Sequence, residues 1–396
     1  MNRLLILFFV SAVDVLGFGI MIPLIPYMGD RFGASPAEIT WTLAAYSVCQ
    51  FVAAPIWGRI SDRFGRRPVL IIGLIGACIG YVILAYATSL TGLFVSRIIG
   101  GLMAGNISAA FAYASDVSKP EDRAKSLGMI GAAIGIGFML GPAIGGALAG
   151  SDPATANFVR PAVVSCALAL LAILLVVFVL PESRTVAQRV AGETTGESRS
   201  PFALLKRLPR LRAIIVAATL VVSAQAILES ISALWAFKRF GFGPRDAGLL
   251  LLSLALVAVI MQGGLVRVLV PRYGEQRVAT FGAIAYVVGL LIVAFAPVFW
   301  IAVVGLLACG AGVGAYQPAA SSLASRQSDE SNRGAVMGTF QASGSLARII
   351  GPAISGPVFG LWGASAPFLV AIAFVVPAVF ILLNLPAARE TNGDES

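Results

Sequence analysis

Gly58-Arg59-Ile60-Ser61-Asp62-Arg63-Phe64-Gly65-Arg66-Arg67-Pro68 joins two long apolar runs, 40–58 and 69–88. Two glycines permit a tight turn. Pro68 suits the opening of the next helix, where a fixed φ and a missing N–H do no harm. Asp62 is placed to interact with helix N-termini, and the arginines to pair with carboxylates at neighbouring helix ends. A loop that only kept positive charge on one side of a membrane would explain the arginines. It would not explain Gly58, Gly65, Asp62 and Pro68.

The flanking runs each approach the roughly 20 apolar residues that cross a hydrocarbon core of about 30 Å. Extending the count in both directions gives spans 4–27, 40–58, 69–88, 92–114, 126–149 and 159–181, then 213–236, 246–268, 278–296, 298–322, 335–360 and 367–386. The composition agrees. Charged residues make up 12% of the 396 and hydrophobic ones 58%, with a mean hydropathy of +0.90. A soluble domain carries about 25% charged residues, so there is too little charge here to coat a water-facing surface. The run 4–27 has no small-residue cleavage site and further spans follow it, so it reads as a retained helix rather than a signal peptide. Pro181–Arg212 is the one clear composition shift and reads as a loop between two halves. The expected organisation is an N-terminal six-helix bundle over 1–181, a central loop over 182–212, a C-terminal bundle over 213–388 and a tail over 389–396.

The net charge of +9 does not indicate nucleic acid, because the basic residues sit in short loops. With both termini cytoplasmic, 21 of the 28 Lys and Arg fall in cytoplasmic segments and five outside, as the positive-inside rule requires. Histidine is absent, which removes histidine metal sites and histidine proton relays together; no metal or organic cofactor is expected. Cys49, Cys78, Cys166 and Cys309 lie apart in apolar runs and read as small buried hydrophobes with no disulfide framework.

The two halves repeat. Arg123–Gly146 aligns without gaps on Arg333–Gly356 at an offset of 210 residues, with Gly141-Pro142-Ala143-Ile144 matching Gly351-Pro352-Ala353-Ile354. Parallel halves of this kind are one repeat pattern of secondary transporters.

On these residues the chain resembles the major facilitator superfamily, whose signature loop is the segment Gly58–Pro68 with Gly58, Asp62, Arg63, Gly65, Arg66 and Arg67. Asp14-Val15-Leu16-Gly17-Phe18-Gly19 with Pro23 and Pro26 resembles the first-helix motif of its drug–proton antiporter branch. Arg97-Ile98-Ile99-Gly100-Gly101 with Gly105 resembles that of the fourth helix, Pro120–Arg123 fits the loop that follows, and Gly137, Gly141, Pro142, Gly145 and Gly146 match the fifth-helix antiporter motif. The tetracycline-efflux type is most similar. Two departures stand out: Gly80 precedes Tyr81 and Tyr286 stands in span nine, where that type carries carboxylates. Tetracycline itself is therefore not the expected substrate. The resemblance implies an all-α membrane protein of the major facilitator fold, with twelve helices in two bundles. It also implies a latch, with Asp116 reaching Arg66 or Arg67 to close the cytoplasmic side in one state.

Ionisable groups inside a membrane are costly and mark function. Well inside the spans stand Asp14 and Glu229 with Arg97 and Arg348. A carboxyl that alternates between apolar surroundings and an arginine neighbour alternately binds and releases a proton, so these four are the candidate coupling set, with the arginines as partners. A fixed Asp14–Arg97 pair holding helices one and four together is the plainer alternative. Arg348 occupies the repeat position of Phe138 and is an asymmetric addition. Gln50, Asn106, Tyr113, Gln225, Trp235, Gln262, Tyr316, Gln317 and Gln341 are candidate cavity-lining residues, although each serves equally as interhelical glue.

Gly310–Ala315 lacks the Gly-Lys-Ser/Thr ending of a phosphate-binding loop and lies in a span, against an ATP-driven pump. No constellation for a membrane enzyme is present. The expected function is proton-coupled antiport of small amphipathic or lipophilic compounds, such as drugs, out of a bacterial inner membrane, by a monomer contacting only lipid, substrate and protons. An importer or a lysolipid or metabolite transporter of the same fold stands as the alternative.

Overall fold

A computed structural model describes residues 3–119, 122–183, 205, 208–327 and 333–385. The central-loop stretch 184–204, the C-terminal tail and Pro120 lie outside the described residues. Among the described residues, eleven helices are long and apolar enough to cross a membrane: α1 (Arg3–Arg31), α2 (Pro36–Phe64), α3 (Arg66–Ala85), α4 (Leu90–Val117), α5 (Arg123–Ala149), α6 (Val159–Phe178), α7 (Pro209–Phe240), α8 (Pro244–Tyr273), α9 (Glu275–Phe295), α10 (Phe299–Ser325) and α12 (Ala366–Leu383). A twelfth long helix, α11 (Arg333–Trp362), packs among them; Gln341, Ser343, Ser345 and Arg348 make it less apolar than the rest. The protein is an all-α, multi-pass membrane protein.

Local chemistry sets the helix ends. Ser35 caps α2 and exchanges bonds with Glu38 in a capping box, with Pro36 at the first helical position. Ser89 caps α4. That helix is interrupted after Leu102 and resumes at Asn106, and the freed Leu102 carbonyl accepts the Trp57 indole N–H at 2.7 Å. In α8 the pair Gly263-Gly264 lies in a π-helical turn, a feature met at functional positions. Exposed large side chains such as Phe178, Leu361 and Phe380 are the surface expected where lipid replaces water. Trp300 and Trp362, at the helix ends on one face, fit an aromatic belt.

The repeat seen in the sequence is built into the packing. In the first half α5 packs on α1 and crosses to α8; in the second, α11 packs on α7 and crosses to α2. The halves therefore meet along two equivalent seams. The recorded polar contacts across these seams lie towards the face opposite the termini. Trp41 donates to the Ala353 carbonyl at 3.2 Å, Tyr27 to the Phe242 carbonyl at 3.0 Å, and the Arg245 N–H to Gly150 at 3.2 Å. Lys238 meets Asp30 at 2.5 Å. Towards the termini, Gly128, Gly131 and Gly135 on α5, and Gly263 and Gly264 on α8, have open space at the β-carbon position. The polar bonds between the halves thus gather at the far face.

One expectation fails. The Cys78 side chain on α3 and that of Cys166 on α6 meet as a disulfide, with Cα atoms 4.8 Å apart. Cys49 and Cys309 are free. Sequence separation hid the pair because α3 and α6 are neighbours only in three dimensions.

Candidate functional site

The signature loop folds as a turn through Gly65, whose φ of +106° favours glycine. This turn delivers Arg66, which is 5% exposed, into a polar cluster. Its Nε donates to Asp116 at 2.9 Å, a terminal nitrogen meets Asp62 at 2.8 Å, and Nη1 donates to Ser61 at 3.1 Å. Asp116 also accepts from the Ser183 hydroxyl at 3.2 Å. The start of α3 is capped by Glu182, which accepts the Arg66 and Arg67 N–H groups at 2.9 and 3.2 Å. Arg67 in turn donates to the Val176 carbonyl at 3.1 Å and to that of Val177. The cluster ties α2, α3, α4 and α6 of one half together, and none of these bonds reaches the other half. Arg63 lies outside it, over the ring of Phe64 at 5.6 Å, and Gly58 faces open space.

The second half carries a charge-reversed copy. Gly274 turns with φ +81° and leads into Glu275, which pairs with Arg326 at 2.5 Å and accepts from Ser322 at 3.3 Å. Glu275 and Arg326 stand 209 and 210 residues after Arg66 and Asp116, with the signs exchanged. The loop 267–277, degenerate by residue type, has kept its turn and its ion pair. Glu182, Glu275 and Arg326 escaped notice in the sequence, yet carrying the repeat offset of 210 through the loop leads from Asp116 to Arg326 and from Arg66 to within one residue of Glu275. Replacing Glu275 with Arg, or Arg326 with Glu, is expected to slow transport, and the double exchange to restore it. Arg326 is 69% exposed, so the coupling in a double-mutant cycle should stay at or below about 1 kcal/mol. A double mutant no faster than the worse single would show that the pair has no such role.

Midway along the helices, where the halves meet, is a cavity of about 80 Å³. Phe18, Tyr46, Arg97 and Phe138 line it from the first half, and Glu229 and Arg348 from the second. Arg97 is 3% exposed. Among the described residues its guanidinium hydrogen-bonds to Ser96 alone, at 3.5 Å, and its Nε has no partner; the guanidinium lies 5.8 Å over the Tyr46 ring. Rings continue from there. Tyr46 meets Phe18 at 4.8 Å and Phe18 meets Phe138 edge-on at 5.9 Å. The Arg348 guanidinium from the other half stands 6.0 Å over Phe138. Positions 138 and 348, equivalent in the repeat, thus face each other across the seam. Glu229 accepts from Gln225 at 2.7 Å, and Gln225 from Gln317 at 3.0 Å. Beside this ladder lies a larger cavity of about 370 Å³ lined by Gln262, Tyr316, Gln317, Gln341 and Arg348. Arg348 lines both spaces.

Asp14 is elsewhere. It accepts from the Asn106 amide in a pocket of about 10 Å³ between α1, α3, α4 and α5, the room one water occupies. The resumption of α4 at Asn106 sets that amide there. Ser11, one turn away and 6% exposed, also lines the pocket, and its hydroxyl has no partner. Asp14 and Arg97 form no ion pair, so the expected pairing between them is absent from this conformation. The same holds for Glu229 with either arginine. Three expected cavity residues lie away from the central space. Asn106 serves Asp14, fully buried Tyr113 donates to the Pro181 carbonyl at 2.7 Å, and Trp235 packs edge-on against Phe240 and Phe368. Gln50 is half-buried on α2. Spacing could not separate these from true lining residues, because a helix facing a neighbour and a helix facing a cavity share one period.

On α5, Gly137, Gly141 and Gly145 lie against α1, and Gly146 lies against Pro244 of α8. Pro142 sits inside the helix, and its carbonyl lies against Gly248 of α8. Gly146 and Pro142 thus belong to one of the two seams between the halves, and Gly137, Gly141 and Gly145 to the packing within the first half.

The sequence pattern of the Major Facilitator Superfamily matches residues 7–274 and 265–396. The chain belongs to this superfamily. Among similar major facilitator proteins, the Tetracycline resistance protein, class C, of Escherichia coli is 31% identical over 399 residues, covering 98% of this chain and 96% of its own. Multidrug resistance protein 2 of Bacillus subtilis is 31% identical over 370 residues, with 91% and 89% covered. The crystal structure of the human organic anion transporter MFSD10 superposes with a TM-score of 0.73 at 25% identity, covering 96% of this chain and 98% of that one. The fold and the relatives of this major facilitator protein are those of transporters.

Proposed function

We propose that the protein exports small amphipathic compounds across a bacterial inner membrane in exchange for protons, by alternating access, with both termini in the cytoplasm. The observation that carries this reading is the central space between two repeat-related halves, with the polar bonds between them gathered towards one face. The two half-buried carboxyl groups within the spans lie at different places relative to that space. Glu229 is on the cavity wall, whereas Asp14 is held by Asn106 in its own pocket. A proton at Asp14 and a substrate at the cavity then bias the same rocking motion without sharing a residue. The relatives named for tetracycline and multidrug resistance support export over uptake, and the mechanism needs no cofactor beyond the proton gradient.

The test is proton movement by the purified, reconstituted protein on adding lipophilic amines, tetracyclines and lysolipids in turn. Substrate-evoked proton movement is expected in the wild type, and its loss, by ten-fold or more, in Asp14→Asn or Glu229→Gln. Binding without proton movement would remove protons as the coupling ion. Full movement in both variants would demote the two carboxyl groups to structural roles.

A further inference from the structure

Resting on the reading of the central cavity as the substrate path, we propose that this site takes organic anions: molecules with an apolar or aromatic body and a carboxylate-type headgroup held between Arg97 and Arg348. The charges on the wall are unequal. Two guanidinium groups face the space and one carboxylate, Glu229, and neither arginine forms an ion pair among the described residues. Asp14, the half-buried acid within the first half's spans, is engaged with Asn106 in a separate pocket. Arg97 is nearly sealed from solvent and its Nε is unpartnered, a costly state unless something supplies the opposite charge. An arginine held for structure has its fork filled by protein acceptors, as Arg66 does at the Asp62 and Asp116 carboxylates and the Ser61 hydroxyl. Among the described residues Arg97 is left with only Ser96.

The surroundings favour a body of aromatic character. Tyr46, Phe18 and Phe138 form an unbroken line of rings whose ends carry the two guanidinium groups. The small central space accommodates a headgroup, which guanidinium groups can bind in two-pronged fashion. The larger cavity that shares Arg348 has room for the remainder. Arg348 comes from the second half and Arg97 from the first, so one anion neutralises both halves at once. It would thereby draw the seam together around itself.

The test compares 2-naphthoate with 2-naphthylmethylamine, binding to the full-length protein in discs of zwitterionic lipid, by calorimetry against empty discs. The expected result is naphthoate binding at least ten-fold tighter than the amine. Arg97→Gln and Arg348→Gln are each expected to cut naphthoate affinity ten-fold or more and to erase the preference. Arg97→Lys and Arg348→Lys should keep part of it, which guards against a fold defect in the neutral variants. Amine binding as tight as naphthoate, no naphthoate binding at all, or a preference that survives both neutral variants overturns the assignment. Proton movement separates this from the export reading. Movement evoked by the amine without naphthoate binding leaves export standing and ends the anion assignment. Naphthoate binding with no proton movement does the reverse.

Discussion

Gly145→Leu is expected to abolish transport and to lower the yield of folded protein more than any other single change on α5. A β-carbon at this position would land on the carbonyl oxygen of Ile20 in α1, and one at Gly141 would come within 2.6 Å of the Gly19 carbonyl carbon. The obstacle is backbone, so no rotamer change relieves it, and α5 must move bodily away from α1. Over-packing a core costs about 1–3 kcal/mol even where side chains yield, and here they cannot. The displacement would carry Gly146 and Pro142 off α8, opening the seam between the halves. Melting temperature and monodisperse yield in detergent are the measurements. Gly131→Leu, on the same helix with open space at its β-position, is the fold control and should leave both near wild type. Equal loss in the two variants would mean that α5 rejects leucine for a reason other than contact with α1.

Arg66→Ala is expected to destabilise the first half by about 3–5 kcal/mol, the range for removing one partner from a buried ion pair. The guanidinium satisfies Asp116, Asp62 and Ser61 together. Asp116, 18% exposed, would keep only Ser183 among these partners. Arg66→Lys should recover a minor part, because an ammonium does not present the fork that reaches three acceptors at once. Asp62→Asn should do less harm than Asp116→Asn, since the Asp62 side chain is 58% exposed and more strongly screened by water. Thermal unfolding of the four variants ranks them. If Arg66→Ala melts with the wild type, the cluster has no part in stability and serves only the switching between states.

The architecture could be read from the chain alone. Apolar runs of spanning length, the polar gap before α7 and the alignment of Arg123–Gly146 on Arg333–Gly356 dictated twelve helices in two halves. Lipid demands internally satisfied backbone over a fixed thickness, and that requirement writes itself into contiguous residues. The signature loop was equally open to reading, because a glycine with φ of +106° beside a fixed pattern of charge is a local device. Ionisable residues within spans were identifiable for the same reason of cost. Their partners were not. Asp14 facing Asn106 rather than Arg97, Arg348 over the ring of its own repeat counterpart Phe138, Glu275 answering Arg326 and Cys78 meeting Cys166 all depend on which helix faces lie together. A helical period places a side chain on a face without naming the neighbour opposite. Sequence thus determined the spans, the repeat and the turns, where the physics is local. Only the tertiary packing decided which charges are paired, which is left open to the cavity, and at which end the polar bonds between the halves gather.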